Sequence, residues 1–490
     1  MSPPSTLPEL QARYGERYRW LLLMAVMVGS VASIMSSTIV NVAVPDMSRY
    51  FTIGQERAQW VSSGFMVAMT VSMLTTPWLL GRYGYRRTYS GSMWVLLAGG
   101  VLGGMSDHYP LVLAARVAEG LAAGVVQPIP AIIVMRAFQP HEQGRAMSFF
   151  GLGAVLAPAL GPSLGGVLVD LFGWRSIFFM VVPFCLASLW MSARFVPDSA
   201  PGGVAANQKG SPLDWPSLLL ATAGTLGLLN GLVQLHGGLT WPTFLLLSGA
   251  AGLMVWFVAR QRSLGAARAA GHGNAPLMNQ AVFADHRFAM GSIVAFIYGM
   301  ALFGSTYLLP VYMQLGLQLS PTYVGTLLLP ASLALAGTIA VVGRLGNRWS
   351  THVLVGIGLT LLALSFALVG IVHIHTSLWV ITTLVVLGRI GLGFILPSLN
   401  VGAMRGLHKE LIPQGASAIN FARTLGGATG VSLCGIVLEW RLAAHGDSLA
   451  VVASSEARLA AFNESFLMLA GLCLLALLAA RHLRDPAPAA

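Results

Sequence analysis

Charge is what this sequence has least of. Only 9% of its 490 residues are Asp, Glu, Lys or Arg, while 56% are hydrophobic; a soluble domain carries about 25% charged residues. A water-soluble chain is excluded, and lipid is the implied solvent. Cysteine is almost as scarce: Cys185, Cys434 and Cys473 form no CxxC or Cys/His cluster, so neither a disulfide framework nor a zinc site is expected, and they read as small core residues. Catalytic signatures are missing as well. There is no HExxH, GxSxG or P-loop GxxxxGK[ST], and His373 and His375, two apart, would leave a helix in different directions. The expectation is no enzyme, no cofactor, no metal and no ATP hydrolysis by this chain alone.

Long apolar runs are what the chain has in quantity. Fourteen follow one another at 20–44, 58–80, 88–106, 110–133, 146–171, 176–196, 215–236, 241–260, 287–314, 321–343, 352–374, 377–401, 413–438 and 463–481, each near the length of a membrane-spanning helix. They lack the ten-residue alternation of a membrane barrel, and backbone groups facing lipid must be bonded internally, so helices are predicted. The polar start MSPPSTLPELQARYGER precedes a first run too long for the core of a signal peptide, which reads as a retained span.

Basic residues orient the spans. With both termini in the cytoplasm, the outer loops hold Arg49, Arg57, Arg175, Arg441 and Arg458, the spans hold Arg116, Arg389 and Arg423, and every other Lys or Arg falls on the inner side. That is the positive-inside pattern for an even number of spans in an inner membrane. The net charge of +11 is thereby accounted for by short loops facing anionic lipid, and nucleic acid is not an expected partner.

Two polar segments break the rhythm, PDSAPGGVAANQKGSP at 197–212 and QRSLGAARAAGHGNAPLMNQAVFADH at 261–286. They bracket two spans, giving an all-α polytopic plan: an N-terminal six-helix bundle at 1–197, a linker with two additional helices at 198–262, a cytoplasmic loop at 263–286 and a C-terminal six-helix bundle at 287–490. The outer segment 440–463 is long enough for a short helix above the membrane. A weak repeat, GRYGYRR at 81–87 and GRLGNRW at 343–349, links the halves, as in transporters built from repeated six-helix units.

The stretch APALGPSLGGVLVDLFGWRSIFF, 157–179, combines apolarity with helix-weakening residues. Gly153, Ala157, Gly161 and Gly165 recur every four residues, a stripe where a neighbouring backbone can approach closely. Pro158 and Pro162 donate no backbone bond and permit a kink.

Together with Gly166, this string resembles the fifth-span signature of antiporters in the major facilitator superfamily, with its GPxxGG ending, followed here by Gly173-Trp174-Arg175 and Phe178-Phe179. STIVNVAVP (37–45), AQWVSSGFM (58–66), LDW (213–215), LLPVYMQLGLQLSPTYVGTLLLP (308–330) and GASAINFARTLGGATGV (415–431) are similar to the fourteen-span drug:proton antiporters of the EmrB/QacA type. The resemblance implies the major facilitator fold. It also implies export of amphiphilic, toxic compounds in exchange for protons, with the proton gradient as energy source. A periplasmic adaptor and an outer-membrane channel would be partners of 440–463. The alternatives are an exporter of an endogenous lipid, fatty acid or metabolite without proton coupling, and a membrane receptor or scaffold that moves nothing.

The departures bear on mechanism. The family often carries an acid two residues before the threonine of TIVNVA, where this chain has Ser36. The loop after the second span usually reads G-x-L-x-D-R-x-G; here Arg82, Gly84 and Arg86 stand without the acid, as do Arg344 and Arg348 in the counterpart loop. These residues are candidates for the cytoplasmic gate, or else serve topology and lipid contact.

Among the acids, Glu119 is the clear one inside a span. It lies in ARVAEGLAAG, 115–124, which resembles the family's R-x-x-Q-G with glutamate for glutamine. Arg116, three residues earlier, shares its helix face. A charge at mid-membrane costs about 2.5–3.5 kcal/mol, so both side chains should face a partner or a cavity. Burial favours the neutral acid and the guanidinium favours the carboxylate, leaving two readings: a mutual structural pair, or a proton or cation carrier.

Arg116, Arg389 and Arg423 outnumber that carboxylate, a balance that disfavours dications and tolerates neutral or anionic amphiphiles. Arg389 and Arg423 could instead bond helix carbonyls. Ser36, Asn41, Met66, Met69, Gln127, Tyr298, Tyr307, Gln314 and Asn420 complete the cavity candidates, the alternative for the Met and Tyr residues being packing or interface anchoring.

Overall fold

The computed structural model describes residues 7–198, 212–235, 238–270, 274–346, 348–373, 375–447 and 455–483. Among the described residues the regular structure is helical throughout, the form that satisfies every backbone group within one segment.

The chain order is α1 (Leu7–Tyr14), α2 (Tyr18–Tyr50), α3 (Gln55–Ser72), α4 (Thr76–Tyr83), α5 (Tyr85–Met105), α6 (Tyr109–Val126), α7 (Ile129–Ala137), α8 (Pro140–Phe172) and α9 (Ser176–Phe195). There follow α10 (Trp215–Gln234), α11 (Trp241–Ala269), α12 (His286–Val311), α13 (Pro321–Leu345), α14 (Thr351–Val369), α15 (Leu378–Met404), α16 (Ile412–Ala444) and α17 (Glu456–Ala480). The run at 58–80 is divided between α3 and α4 by a tight 3-10 turn, and that at 110–133 between α6 and α7.

Twelve of the described helical stretches are long and apolar enough to cross a membrane, where the sequence led us to expect fourteen. The runs at 88–106 and 146–171 are helical too, as α5 and α8. Glycines and hydroxyl side chains dilute the apolarity of α5, as in YRRTYSGS at its start. The helix α8 also runs unbroken through Pro158 and Pro162 for its 33 residues.

Loop expectations shift at two places. The helix α11 continues to Ala269, so the segment 263–286 begins as helix and closes with a short 3-10 turn at Gln280–Ala284. In 440–463 the two flanking helices extend, α16 to Ala444 and α17 from Glu456; residues 448–454, where a separate short helix was expected, lie outside the described residues. Most of the linker 197–212 lies outside them as well.

The chain divides into two compact units. The first comprises Met1–Thr222, Phe257–Val282 and Leu407–Phe421, and the second Ala223–Trp256, Phe283–Gly406 and Ala422–Ala490. In the first unit α2 packs against α3, α6, α8 and α9. Its core joins Ile39, Val40, Ala43 and Met47 to Val61, Val112, Trp174, Ile177 and Phe178. In the second, α15 packs against α12, α13 and α14, and α17 against α12 and α14.

Candidate functional site

The first unit holds a charged cluster in its interior. Arg116 and Glu119 lie one turn apart on α6, 2% and 1% exposed, and form an ion pair through Arg116 Nη1 and Glu119 Oε2. The three-residue spacing puts both on one helix face, and glycines bring that face close to its neighbours. A Cβ at Gly120 would collide with the Phe65 carbonyl, and one at Gly124 with that of Met69, so α6 lies almost backbone to backbone on α3. That contact stacks the Arg116 guanidinium on the Phe65 ring, 4.2 Å from its centroid, and lets its Nε donate to the Val61 carbonyl at 3.3 Å.

Ser36 of α2 completes the cluster. Arg116 Nη1 donates to Ser36 Oγ at 2.7 Å, Arg116 Nη2 to the Ser36 carbonyl at 3.1 Å, and Ser36 Oγ donates to Glu119 Oε2 at 2.9 Å. Three helices thus hold the guanidinium. The carboxylate is treated differently: Oε2 takes two donors, while the buried Oε1 has none among the described residues.

The helix α5 supplies the wall beside that oxygen. A Cβ at Gly99 would lie 2.6 Å from Glu119 Cγ, and one at Gly100 would lie 3.6 Å from Oε1 and 3.0 Å from the Phe178 carbonyl of α9. Desolvation of an unpaired carboxylate oxygen is costly. The oxygen keeps lone pairs to which a proton can bind without disturbing the bonds on Oε2.

Other candidates of the first unit are distributed elsewhere. Met69 is a core residue packed with Phe65, Met73 and Ala123, with Met66 against them. Asn41 is exposed and accepts a hydrogen bond from Ser62 Oγ at 2.6 Å. Gln127 is buried at the end of α6, its N–H on the Ala123 carbonyl, and Asn420 is buried with its Nδ2 on the Ala416 carbonyl at 2.8 Å.

The glycine stripe of α8 faces α2. A Cβ at Gly153 would meet Val31 at 3.1 Å, at Gly161 Thr38 Oγ1 at 2.6 Å, and at Gly165 Ile39 at 2.6 Å. Ala157 is buried and Pro158 half-buried; Pro162 is helical; Gly166 faces open space. This stripe is therefore a seam within the first unit. At the end of α8, Gly173 turns the chain at φ 77°, and Arg175 stacks on Tyr50 and Trp174.

At the α4–α5 turn Gly84 has φ 79°, and a Cβ there would lie 2.5 Å from the Asp198 carbonyl. Arg86 donates to the Val196 carbonyl at 2.8 Å and its Nε lies 3.9 Å from Asp198 Oδ1. The acid absent from the loop sequence is met in space by one that follows α9. Sequence reasoning missed Asp198 because it opens a stretch with the composition of a linker. Arg82, Arg344 and Arg348 are exposed.

In the second unit Arg389 of α15 and Arg423 of α16, both half-buried, interact electrostatically with the buried Tyr298 of α12. Tyr307 is exposed and Gln314 half-buried. Missed from the sequence were Val61, which contributes only a carbonyl, and Phe65, one aromatic among many. Gly99 and Gly100 had a signal in the doublets of AGGVLGG.

The profile of the Major Facilitator Superfamily matches residues 26–431. The chain is 26% identical over 472 residues to the uncharacterized MFS-type transporter YcnB of Bacillus subtilis (strain 168), covering 96% of each. To the multidrug resistance protein B homolog of Mycobacterium tuberculosis (strain ATCC 25618 / H37Rv) it is 27% identical over 440 residues, covering 88% of this chain and 79% of the relative. Its fold is similar to that in the crystal structure of the human organic anion transporter MFSD10 (TETRAN), with a TM-score of 0.66 at 16% identity over 94% of this chain and 99% of the other.

Proposed function

The chain belongs to the Major Facilitator Superfamily, a multi-pass membrane transporter rather than an enzyme, and on that premise we propose that it exports amphiphilic drugs or other toxic hydrophobic compounds in exchange for protons. The proposed plan is that of the fourteen-span EmrB/QacA type, two six-helix bundles and two additional helices, in an inner membrane with both termini cytoplasmic. Multidrug-resistance proteins among the relatives support the substrate class coarsely.

One observation carries the coupling: the unpartnered, buried Oε1 of Glu119 beside a guanidinium held by three helices. Protonation of this oxygen cancels the carboxylate charge and leaves Arg116 bonded to the Ser36 and Val61 carbonyls. The ion pair within α6 is lost in that state, and the α2–α6 contact, made through Ser36, then faces a neutral carboxyl and a guanidinium in place of a carboxylate and a guanidinium. Alternating access exploits such a change, since each protonation state weights the two conformations differently. One proton moving down about 100 mV supplies about 2.3 kcal/mol, enough for a roughly fiftyfold gradient of a neutral solute.

The test uses everted vesicles carrying a preformed pH gradient. Adding a transported amphiphile dissipates the gradient with the wild type and not with Glu119→Gln, provided the variant is present in equal amount and elutes as a single folded species. Active export by Glu119→Gln at the wild-type rate removes Glu119 from the mechanism.

A further inference from the structure

The LDW string at 213–215 leads into a polar network that the transport site does not use. Asp214, just before α10, is 3% exposed, and Ser217, one turn on, is fully buried. A buried carboxylate needs an opposite charge and donors. Asp214 Oδ1 takes Arg260 Nη2 of α11 at 3.0 Å, and Oδ2 takes the Ser217 hydroxyl. Ser217 Oγ in turn accepts from Arg260 Nε at 3.2 Å and from Gln261 Nε2 at 2.6 Å. Its single proton and both lone pairs are thereby in use.

That occupancy fixes the amide of Gln261, itself fully buried. A flipped amide would set its carbonyl against a serine oxygen with no proton left to give, so Nε2 faces Ser217 and Oε1 faces away. Oε1 accepts the Met278 N–H at 3.1 Å. The next N–H, that of Asn279, serves a different helix and donates to Gln414 Oε1 of α16 at 3.2 Å. Asn279 also turns the chain, its side chain accepting from Ala281 N at 3.0 Å and its carbonyl from Val282 N at 3.2 Å. Leu277, Met278 and Val282 are buried. Residues 274–282 are thus a packed strap whose successive peptide groups are bonded to α11 and to α16. All of these links lie within the first unit, which α16 leaves after Phe421, so the strap grips the start of that helix.

We propose that α10 and α11 anchor a clamp: the network of Asp214, Ser217, Arg260 and Gln261 holds the strap, and the strap holds the start of α16. The first turn of a helix lacks intrahelical acceptors for its N–H groups and opens at low cost, so a grip from outside sets how readily α16 begins to move. Gln261 is the positioning residue, since its amide joins the network to the strap. The clamp goes beyond the export reading and needs neither substrate nor proton.

The test is hydrogen–deuterium exchange of the purified full-length protein in phosphatidylcholine nanodiscs, read by mass spectrometry on peptides covering 412–421 of α16 and, for comparison, 140–150 of α8. Gln261→Leu keeps the size of the side chain and alters no residue of the strap or of α16; it is expected to speed exchange over 412–421 at least about threefold and to leave 140–150 unchanged. Gln414→Leu should do the same. Because both cut one chain of bonds, the double variant is expected to exceed the faster single variant by less than about twofold. Unaltered exchange over 412–421 in Gln261→Leu, equal acceleration over 140–150, or a double variant in which the two factors multiply overturns the proposal. Should Gln261→Leu fail to fold, Ser217→Ala with Gln414→Leu gives the same cycle under the same criteria. No transported compound enters the measurement, so it succeeds or fails independently of drug and proton exchange.

Discussion

Ser36 Oγ donates a hydrogen bond of 2.9 Å to Glu119 Oε2, joining residues 83 apart in the chain. The serine occupies the position at which similar antiporters often carry an acid, and the acid of this chain stands directly opposite, on α6. A carboxylate at either position would address the same space and the same guanidinium.

Moving the acid back tests that equivalence. Ser36→Asp combined with Glu119→Gln is expected to recover the substrate-driven loss of a pH gradient that Glu119→Gln alone abolishes, measured in everted vesicles. Recovery to at least about a tenth of the wild-type rate, a barrier difference near 1.4 kcal/mol, supports a shared site; no recovery by a well-folded double variant ties coupling to α6 itself.

Removing the cation should harm the protein more than removing the pair. Arg116→Gln leaves a buried carboxylate without its partner, a loss of about 3–5 kcal/mol. The double variant Arg116→Gln/Glu119→Gln is expected to regain part of that. Thermal unfolding in detergent gives the comparison, and a double variant less stable than Arg116→Gln would contradict it.

The glycine contacts differ in severity in a way that substitution can order. Gly124→Ala drives a methyl into the Met69 carbonyl, and Gly165→Val into Ile39; overpacking of this sort costs about 1–3 kcal/mol. Gly166→Ala meets open space and should gain a few tenths to about 1 kcal/mol from helix propensity. Melting temperatures that fall alike for all three would refute the assignment of the seams.

Gly84→Ala combines two faults, a left-handed backbone and a collision with the Asp198 carbonyl. The expected loss is about 1–2 kcal/mol or more. Limited proteolysis at the α4–α5 turn should accelerate accordingly, and an unchanged rate would argue that 196–198 does not hold this turn.

Helix positions were legible because lipid demands long apolar runs, and little else can satisfy the backbone there. One span was less plain: α5 needs Gly99, Gly100, Gly103 and Gly104 where α9 and Glu119 press against it, and glycine lowers the apolarity by which a span is recognised. The Arg116–Glu119 pair was readable from a three-residue spacing. Its third member was not, since Ser36 drew notice only as a missing acid, and the contact that gives it a role joins two helices far apart in sequence. Asp198 and the Val61 carbonyl lay beyond reach for the same reason: sequence records what a side chain is and not which backbone it will find.

The wall that α5 turns toward Glu119 is peptide backbone, and the other groups touching the carboxyl belong to an arginine and a serine. None of these gains or loses a proton in any physiological medium. A proton taken up by this carboxyl, as proposed, would therefore be the one change of charge open to the groups that touch it.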